Sequence, residues 1–181
     1  FWLCAGALSG PVTVTGLSAA SAQGDRQILE LLRRFGAHVS RTPETVTVAP
    51  APLRACEIVG SDIPDLAPPL ALLGACAQGQ TVLTGAARLR IKESDRLSSI
   101  SRTLAALGIE TRETADSLTI FGGTLTGGTV SSHNDHRIAM LAAMAACKST
   151  GAVTLRGAEA VKKSYPRFWQ DYRRMTKEEA R

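Results

Sequence analysis

The stretch from Arg88 to Leu97 holds the residues of this chain best suited to chemistry, because six of its ten residues are charged. The dozen residues that follow have the apolar spacing of an amphipathic helix. Lys92 and Arg96 therefore lie near a helix N-terminus, where free N–H groups and a partial positive charge favour anions. We expect this turn to bind a phosphate or carboxylate, with Glu93 placed to transfer protons. The alternative is a solvated helix start with local ion pairs.

Polar turns also open the other predicted helices, and they carry the remaining candidates for chemistry. If several of these helix starts share one face, their cations would bind phosphates and stabilise charge in a transition state, and neighbouring carboxylates could exchange protons. The candidates gathered in this way are Asp65, Lys92, Glu93, Arg96, His136, Arg137, Lys162 and Lys163. Each has a simpler interpretation, since Asp65 and Asp135 could be N-caps and the lysines could be solvated.

A glycine-flanked strand signature occurs three times, which indicates an internal repeat. The copies are Gly10-Pro-Val-Thr-Val-Thr-Gly16, Gly79-Gln-Thr-Val-Leu-Thr-Gly85 and Gly151-Ala-Val-Thr-Leu-Arg-Gly157, and they begin 69 and 72 residues apart. This period is too long for a common solenoid. It predicts an α/β fold, a lobe of related units packed about a pseudo-threefold axis. The alternative is a linker between two domains at residues 43–69, which hold six of the eight prolines.

Apolar periodicity and turn residues predict the order of helices and strands. Helices are expected at residues 1–9, 25–35, 63–77, 96–107 and 135–150, with a last helix that starts at Pro166. Strands are expected at residues 12–14, 37–40, 46–48, 56–59, 81–83, 109–111, 118–121, 129–131 and 153–155.

Composition bounds the class of protein. The chain has 181 residues, of which 44% are hydrophobic and 20% charged, so it can bury an ordinary core. It contains no apolar run long enough to span a membrane. The net charge of +5 suits an anionic ligand but is too small to indicate nucleic acid by itself. The four cysteines are far apart, so we expect reduced thiols rather than disulfides or zinc ligands.

Three segments together resemble the signatures of the 5-enolpyruvylshikimate-3-phosphate synthase family. They are Leu89-Arg-Ile-Lys-Glu-Ser-Asp-Arg-Leu97, Asn134-Asp-His-Arg-Ile-Ala-Met140 and Lys163-Ser-Tyr-Pro166, and their order and spacing match as well. Ile63-Pro-Asp65 and Ser21-Ala-Gln-Gly-Asp25 resemble two further family turns. The resemblance covers essentially the whole chain.

This resemblance implies a fold of two lobes, each an inverse α/β barrel of three βαβαββ units, that close on the substrates. Residues 1–181 would form a single lobe, most of the C-terminal domain, and the N-terminal lobe would lie outside this chain. The apolar start at Phe1, without Met or a cap, is what a fragment cut inside a helix would show. Some bacterial members carry a substrate-contacting Asn where this chain has Arg88, so the role of Arg88 stays open.

The resemblance also implies the reaction. The enolpyruvyl group of phosphoenolpyruvate would move to the 5-hydroxyl of shikimate 3-phosphate, with release of phosphate and no metal or organic cofactor. This step belongs to the shikimate pathway of aromatic amino acid and chorismate biosynthesis, and glyphosate inhibits it. Asp65 would orient or deprotonate the hydroxyl, Glu93 would exchange a proton with the methylene carbon, and Lys163 could protonate the leaving phosphate. The residues expected to bind substrate are Lys92, Arg96, His136, Arg137 and Lys163.

Two other functions stay open at this point. One is the sister transferase that acts on UDP-N-acetylglucosamine, although that family has different motifs. The other is a non-catalytic module that binds RNA or another polyanion, although the 4% aromatic content leaves few rings for base stacking. We expect a cytoplasmic enzyme, or a plastid one if the source is a plant, with neither nucleic acid nor a membrane as partner.

Overall fold

A computed structural model describes residues 1–18 and 20–178, and its elements fall into three groups. The first group is α1 (Trp2–Leu8), β1 (Val12–Thr15), α2 (Ile28–Arg34), β2 (His38–Arg41) and β3 (Thr45–Ala49). The second is β4 (Glu57–Val59), α3 (Ala67–Cys76), β5 (Gln80–Thr84), α4 (Arg96–Ala106), β6 (Thr111–Glu113) and β7 (Leu118–Phe121). The third is β8 (Gly128–Ser131), α5 (His136–Ala146), β9 (Val153–Arg156) and α6 (Phe168–Glu178).

The three groups share one strand topology. The middle group is a full βαβαββ unit whose sheet has the order β4-β5-β7-β6, with β4 parallel to β5 and the other pairs antiparallel. The first group repeats the latter part of this order as β1-β3-β2, and the parallel pair β8-β9 repeats its beginning. The α/β class and the internal repeat are thereby confirmed. Residues 43–69 form part of the repeat, because they contain β4 and the start of α3.

The core lies between the helices α1, α3 and α5 and the sheets that surround them. α3 contacts both α1 and α5, and each of the three helices packs on the sheet of its own unit. Residues 67–75 of α3 are buried on every side, and Pro68 and Pro69 occupy its first turn, where their missing N–H groups leave no carbonyl unpaired. Gly74 permits close packing, since a Cβ there would lie 2.8 Å from the Cβ of Thr81 on β5.

Several predicted boundaries are wrong, among them the starts of α2 and α3 and the end of α5. The strand expected at residues 109–111 begins at Thr111, because the Ile109 amide still bonds to the Leu104 carbonyl and closes the end of α4. The last helix begins at Phe168 rather than Pro166, and Ala158–Lys163 form a separate 3₁₀ helix. The first residues of the charged stretch, up to Ile91, form a 3₁₀ helix that begins at Ala87, so α4 starts only at Arg96.

Three cysteines are described as thiols, and burial differs among them. Cys4, Cys56 and Cys76 are free thiols, and Cys4 is fully buried. Burial raises the pKa of the Cys76 thiol to about 11, so this thiol stays protonated near neutral pH. Within the described ranges, every helix is too short or too polar to cross a membrane.

An aromatic cluster joins the last unit to the first. Phe168 on α6 is completely buried, and its ring stacks on Trp2 of α1 with the ring centroids 5.6 Å apart. Trp169 and Tyr172 extend the cluster along α6, and Tyr165 contacts Phe168 edge-on. The cluster therefore holds α6 of the third group against α1 of the first.

We expect Phe168→Ala to lower the free energy of unfolding by about 3–5 kcal/mol, because it removes a buried ring and leaves a cavity. The measurement is urea unfolding followed by far-ultraviolet circular dichroism. Ile91→Ala is the matched control, since Ile91 is 83% exposed and its truncation should change stability by less than about 0.5 kcal/mol. Equal losses in the two variants would contradict the assigned packing.

Candidate active site

The starts of α3, α4 and α5 meet, and each contributes residues to one charged cluster. Asp65 comes from the 3₁₀ turn Pro64–Leu66 that leads into α3. Glu93 comes from the loop before α4, and Arg96 is the first residue of α4. His136 and Arg137 open α5. The repeat explains this meeting, because α3 and α5 occupy equivalent places in neighbouring units.

Arg96 lies at the centre of the cluster and is completely buried. Its Nε donates to Oδ2 of Asp135 at 2.9 Å, and its Nη1 donates to Oδ1 of Asp65 at 2.9 Å. Its Nη2 donates to Glu93. A buried guanidinium must be paired to offset the loss of its hydration, and three carboxylates meet that need here.

Asp135 is the buried partner of Arg96 and also the N-cap of α5. Its Oδ1 accepts a hydrogen bond from the Arg137 amide at 2.8 Å, and its Oδ2 accepts one from Ser94 Oγ at 3.2 Å. Burial alone would raise the pKa of Asp135, but the hydrogen bond and charge of Arg96, with the other two donors, hold it below the ordinary value. Sequence reasoning predicted the cap but missed the contact with Arg96.

Asp65 links the two arginines. Its Oδ1 accepts from Arg96, and its Oδ2 accepts from Nη2 of Arg137 at 2.6 Å. It makes no cap bond to a helix, so the simpler interpretation of Asp65 as an N-cap is wrong. The Asp65 carboxylate is 34% exposed, which leaves it accessible from solvent.

His136 faces Glu93 across a gap. Its Nδ1 lies 3.9 Å from Oε1 of Glu93, which is too long for a hydrogen bond. The His136 Nδ1 and the Arg137 Nε are both buried and have no hydrogen-bond partner among the described residues. Burial, and then the charge of Arg137, lower the pKa of His136, so its imidazole is neutral near pH 7.

The three candidate lysines are held less firmly than the arginines. The Lys163 Nζ donates to the Asn134 carbonyl at 2.6 Å, which places this exposed lysine beside the start of α5. Asn134 has a φ of 58°, a left-handed conformation that Asn tolerates better than most residues. Lys92 lies next to Glu93, is half-buried, and forms no ion pair within the described residues. Lys162 is exposed.

The arrangement suits the binding of an anion beside two carboxylates. The Arg137 side chain is partly exposed, Lys163 is exposed, and Arg96 is completely buried. The carboxylates of Asp65 and Glu93 are partly exposed on the same cluster. The described residues contain no group of His, Cys, Asp and Glu that could hold a metal ion.

The neutral state of His136 predicts a pH dependence of stability. Its pKa is lowered in the folded chain, so below about pH 6.5 the unfolded chain binds a proton that the folded chain resists. The free energy of unfolding should therefore fall as the pH drops from about 7 to about 5. His136→Gln should reduce this slope in urea unfolding, and His38→Gln, at an exposed position of β2, should keep it. Unchanged slopes in the His136 variant would contradict the prediction.

Known proteins are similar to this chain in both sequence and fold. The family model for EPSP synthase (3-phosphoshikimate 1-carboxyvinyltransferase) matches residues 1–172. The 3-phosphoshikimate 1-carboxyvinyltransferase of Clostridium kluyveri is 45% identical over 174 residues, which are 96% of this chain and 41% of that protein. The one from Thermococcus kodakarensis is 42% identical and matches 97% of this chain and 44% of that protein.

Solved structures of similar fold include an EPSP synthase as well. An EPSP synthase from Acinetobacter baumannii superposes with a TM-score of 0.81 at 30% identity, over 92% of this chain and 42% of that one. The enolpyruvyl transferase NikO from Streptomyces tendae has a TM-score of 0.76 at 28% identity, over 96% and 41% of the two chains. The chain thus spans about two fifths of the length of the proteins it matches. Because the family model matches residues 1–172, the chain belongs to the EPSP synthase family.

Proposed function

We propose that the protein containing this chain transfers the enolpyruvyl group of phosphoenolpyruvate to the 5-hydroxyl of shikimate 3-phosphate and releases phosphate. Residues 1–181 would be a single lobe, most of the C-terminal domain, and the rest of the polypeptide would supply the other lobe. One observation carries this proposal. Asp65 and Glu93 pair with Arg96, and Asp65 also pairs with Arg137, although these residues come from three separate segments that resemble family signatures.

Substrate binding follows from the cations. The phosphate and carboxylate of phosphoenolpyruvate would be held by Arg137 and Lys163 at the exposed side of the cluster, with Arg96 behind. His136 would donate one hydrogen bond as a neutral imidazole, and Lys92 would add a mobile charge. Since Asp65 already pairs with both arginines, a bound anion must compete with this carboxylate for Arg137.

The proton transfers follow from the carboxylates. Asp65 would take the proton of the attacking hydroxyl as the hydroxyl oxygen bonds to C2 of phosphoenolpyruvate, while Glu93, entering the step in its protonated form, gives that proton to C3. The tetrahedral intermediate would then lose phosphate, with Lys163 protonating the leaving group and Glu93 taking the proton back from C3. Glu93 thus ends as it began, and the proton that Asp65 took from the hydroxyl replaces the one that Lys163 gave to phosphate, so no cofactor is required.

The proposed setting includes the remaining expectations. Glyphosate would compete for the anion site, and the enzyme would act in the cytoplasm, or in a plastid if the source is a plant. The alternative of a polyanion-binding module loses support, because the most central cation, Arg96, is buried among carboxylates rather than displayed. No observation favours the sister transferase that acts on a UDP-sugar.

Glu93→Gln should lower turnover of the complete two-lobe protein by about 10²–10⁴, the usual span for general acid–base catalysis, with a smaller change in substrate binding. The amide keeps the shape of the side chain but cannot carry the proton. Phosphate release at saturating substrates, with shikimate 3-phosphate required, is the assay. Glu110→Gln, at an exposed position, is the control. A Glu93 variant with nearly normal turnover would remove Glu93 from the mechanism.

Lys163→Ala should both weaken phosphoenolpyruvate binding and slow phosphate release, because it removes a cation that binds the substrate and protonates the leaving group. Lys162→Ala, which deletes the adjacent exposed lysine, should change neither parameter by more than about twofold.

The chain of residues 1–181 alone should show no turnover, since positioning by two closed lobes contributes roughly 7–11 kcal/mol. Turnover by the isolated chain would contradict the two-lobe proposal.

A further inference from the structure

The loop that carries Lys92 and Glu93 needs an anchor at its beginning. It lies between the 3₁₀ helix Ala87–Ile91 and α4, outside regular structure. Its later half is held by Ser94, which bonds to Asp135. Its earlier half has little apolar support, because Ile91 is 83% exposed and the Glu93 side chain is 39% exposed. The buried apolar side chains nearest to Glu93 in sequence, Leu89 and Leu97, lie four residues away on either side.

Arg90 supplies that anchor through its whole guanidinium fork. Its Nη1 donates to both carboxylate oxygens of Asp95, at 3.1 and 2.9 Å, and to Oε1 of Glu113 at 2.6 Å. Its Nε donates to the Ala115 carbonyl at 3.2 Å, and its Nη2 donates to the Thr114 carbonyl. A planar fork with five N–H donors can serve all these acceptors at once, and a lysine cannot.

Arg90 bonds to the turn between β6 and β7, residues 114–117, which has hydrogen bonds of its own. The Thr114 hydroxyl bonds to Ser117 Oγ at 2.6 Å and accepts from the Ser117 amide at 3.1 Å. Two further bonds tie the same turn to the site segment, from the Ala86 amide to the Asp116 carbonyl at 2.7 Å and from Ser98 Oγ to Glu113 at 2.9 Å. Residues 86–98 are thus fixed to the turn at both ends, with Arg90 between them.

We propose that Arg90 is a positioning residue for Glu93. It holds the loop against the β6–β7 turn, so that the Glu93 carboxylate stays beside Arg96 and His136. This inference rests on the proposed function, because it concerns the proton carrier of that reaction. Within the part of the chain that the structure describes, Arg90 forms no hydrogen bond or ion pair with Asp65, Arg96 or Arg137, so it acts through the loop rather than on the substrate.

The test uses the complete two-lobe protein and phosphate release. Arg90→Met should lower kcat by about 10–100-fold, since small misplacements of a catalytic group can cost about 10² in rate. The KM for phosphoenolpyruvate should change less, because Arg137 and Lys163 bind that substrate from other segments. Arg90→Lys keeps the charge but not the fork, so it should not restore kcat. Arg112→Met on β6, which removes a guanidinium lying over the Phe121 ring, should leave kcat unchanged.

A double variant separates positioning from a general loss of stability. In the Glu93→Gln background, Arg90→Met should lower kcat by no more than about twofold, because the group that it positions can no longer carry a proton. If the two changes multiply, Arg90 does not act through Glu93 and the inference is overturned. It is equally overturned if Arg90→Lys restores kcat. Failure of the unmodified protein to release phosphate would instead contradict the proposed function.

A second measurement is independent of activity. In Arg90→Met, the Ala86 amide, which bonds to the Asp116 carbonyl, and the Ser98 amide, which bonds to Oδ1 of Asp95, should exchange with deuterium faster, while amides of α3 and α5 keep their rates. Unchanged exchange at Ala86 and Ser98 would show that Arg90 does not hold the loop. Faster exchange throughout α3 and α5 would show a general structural role, and it would also overturn the inference.

Discussion

The buried ion pair of Arg96 and Asp135 is the constraint on which the rest of the site depends. Both side chains are completely removed from water, and each charge is tolerable only because the other lies 2.9 Å away. The pair joins the first residue of α4 to the cap of α5, so these two helix starts cannot separate without leaving an unpaired buried charge. Asp65 extends the same constraint to the turn before α3.

The internal repeat and the ion pairs together explain how a few residues can build this site. The repeat places helix starts from neighbouring units side by side, and the ion pairs then select the side chains that can occupy them. The same contacts pair the charges, since two arginines face three carboxylates from Asp65, Glu93 and Asp135, an excess of one negative charge. An anionic substrate would enter a site whose cations are already in place, which reduces the cost of arranging them during the reaction.

Much of this architecture is predictable from sequence, and the exceptions have physical causes. The glycine-flanked strands and the polar helix starts predicted the units and most of the charged cluster, because they are local patterns. Asp135 looked like an ordinary N-cap, since its contact with Arg96 spans two units. A signal did exist: Arg96 shares the buried face of α4 with Ile100 and Leu104, and a helical arginine on that face requires a buried carboxylate.

Other features depend on contacts that no local pattern encodes. The anchoring role of Arg90 involves a turn more than twenty residues away in sequence, and the carbonyls of that turn carry no sequence signal. The shifted start of the strand at Thr111 arises because the end of α4 uses the Ile109 amide. Asp65 does not cap a helix because its carboxylate bonds to two arginines, one of them 72 residues away in sequence.

The aromatic cluster at α1 and α6 has a consequence for spectroscopy. The chain has two tryptophans, Trp2 and Trp169, and both contact Phe168 in that cluster. The tryptophan fluorescence of the chain thus comes from the contact between α1 and α6 and not from the surroundings of Arg96. Emission changes during unfolding would report the separation of these two helices. A probe introduced near Arg137 would be needed to follow the site in the same experiment.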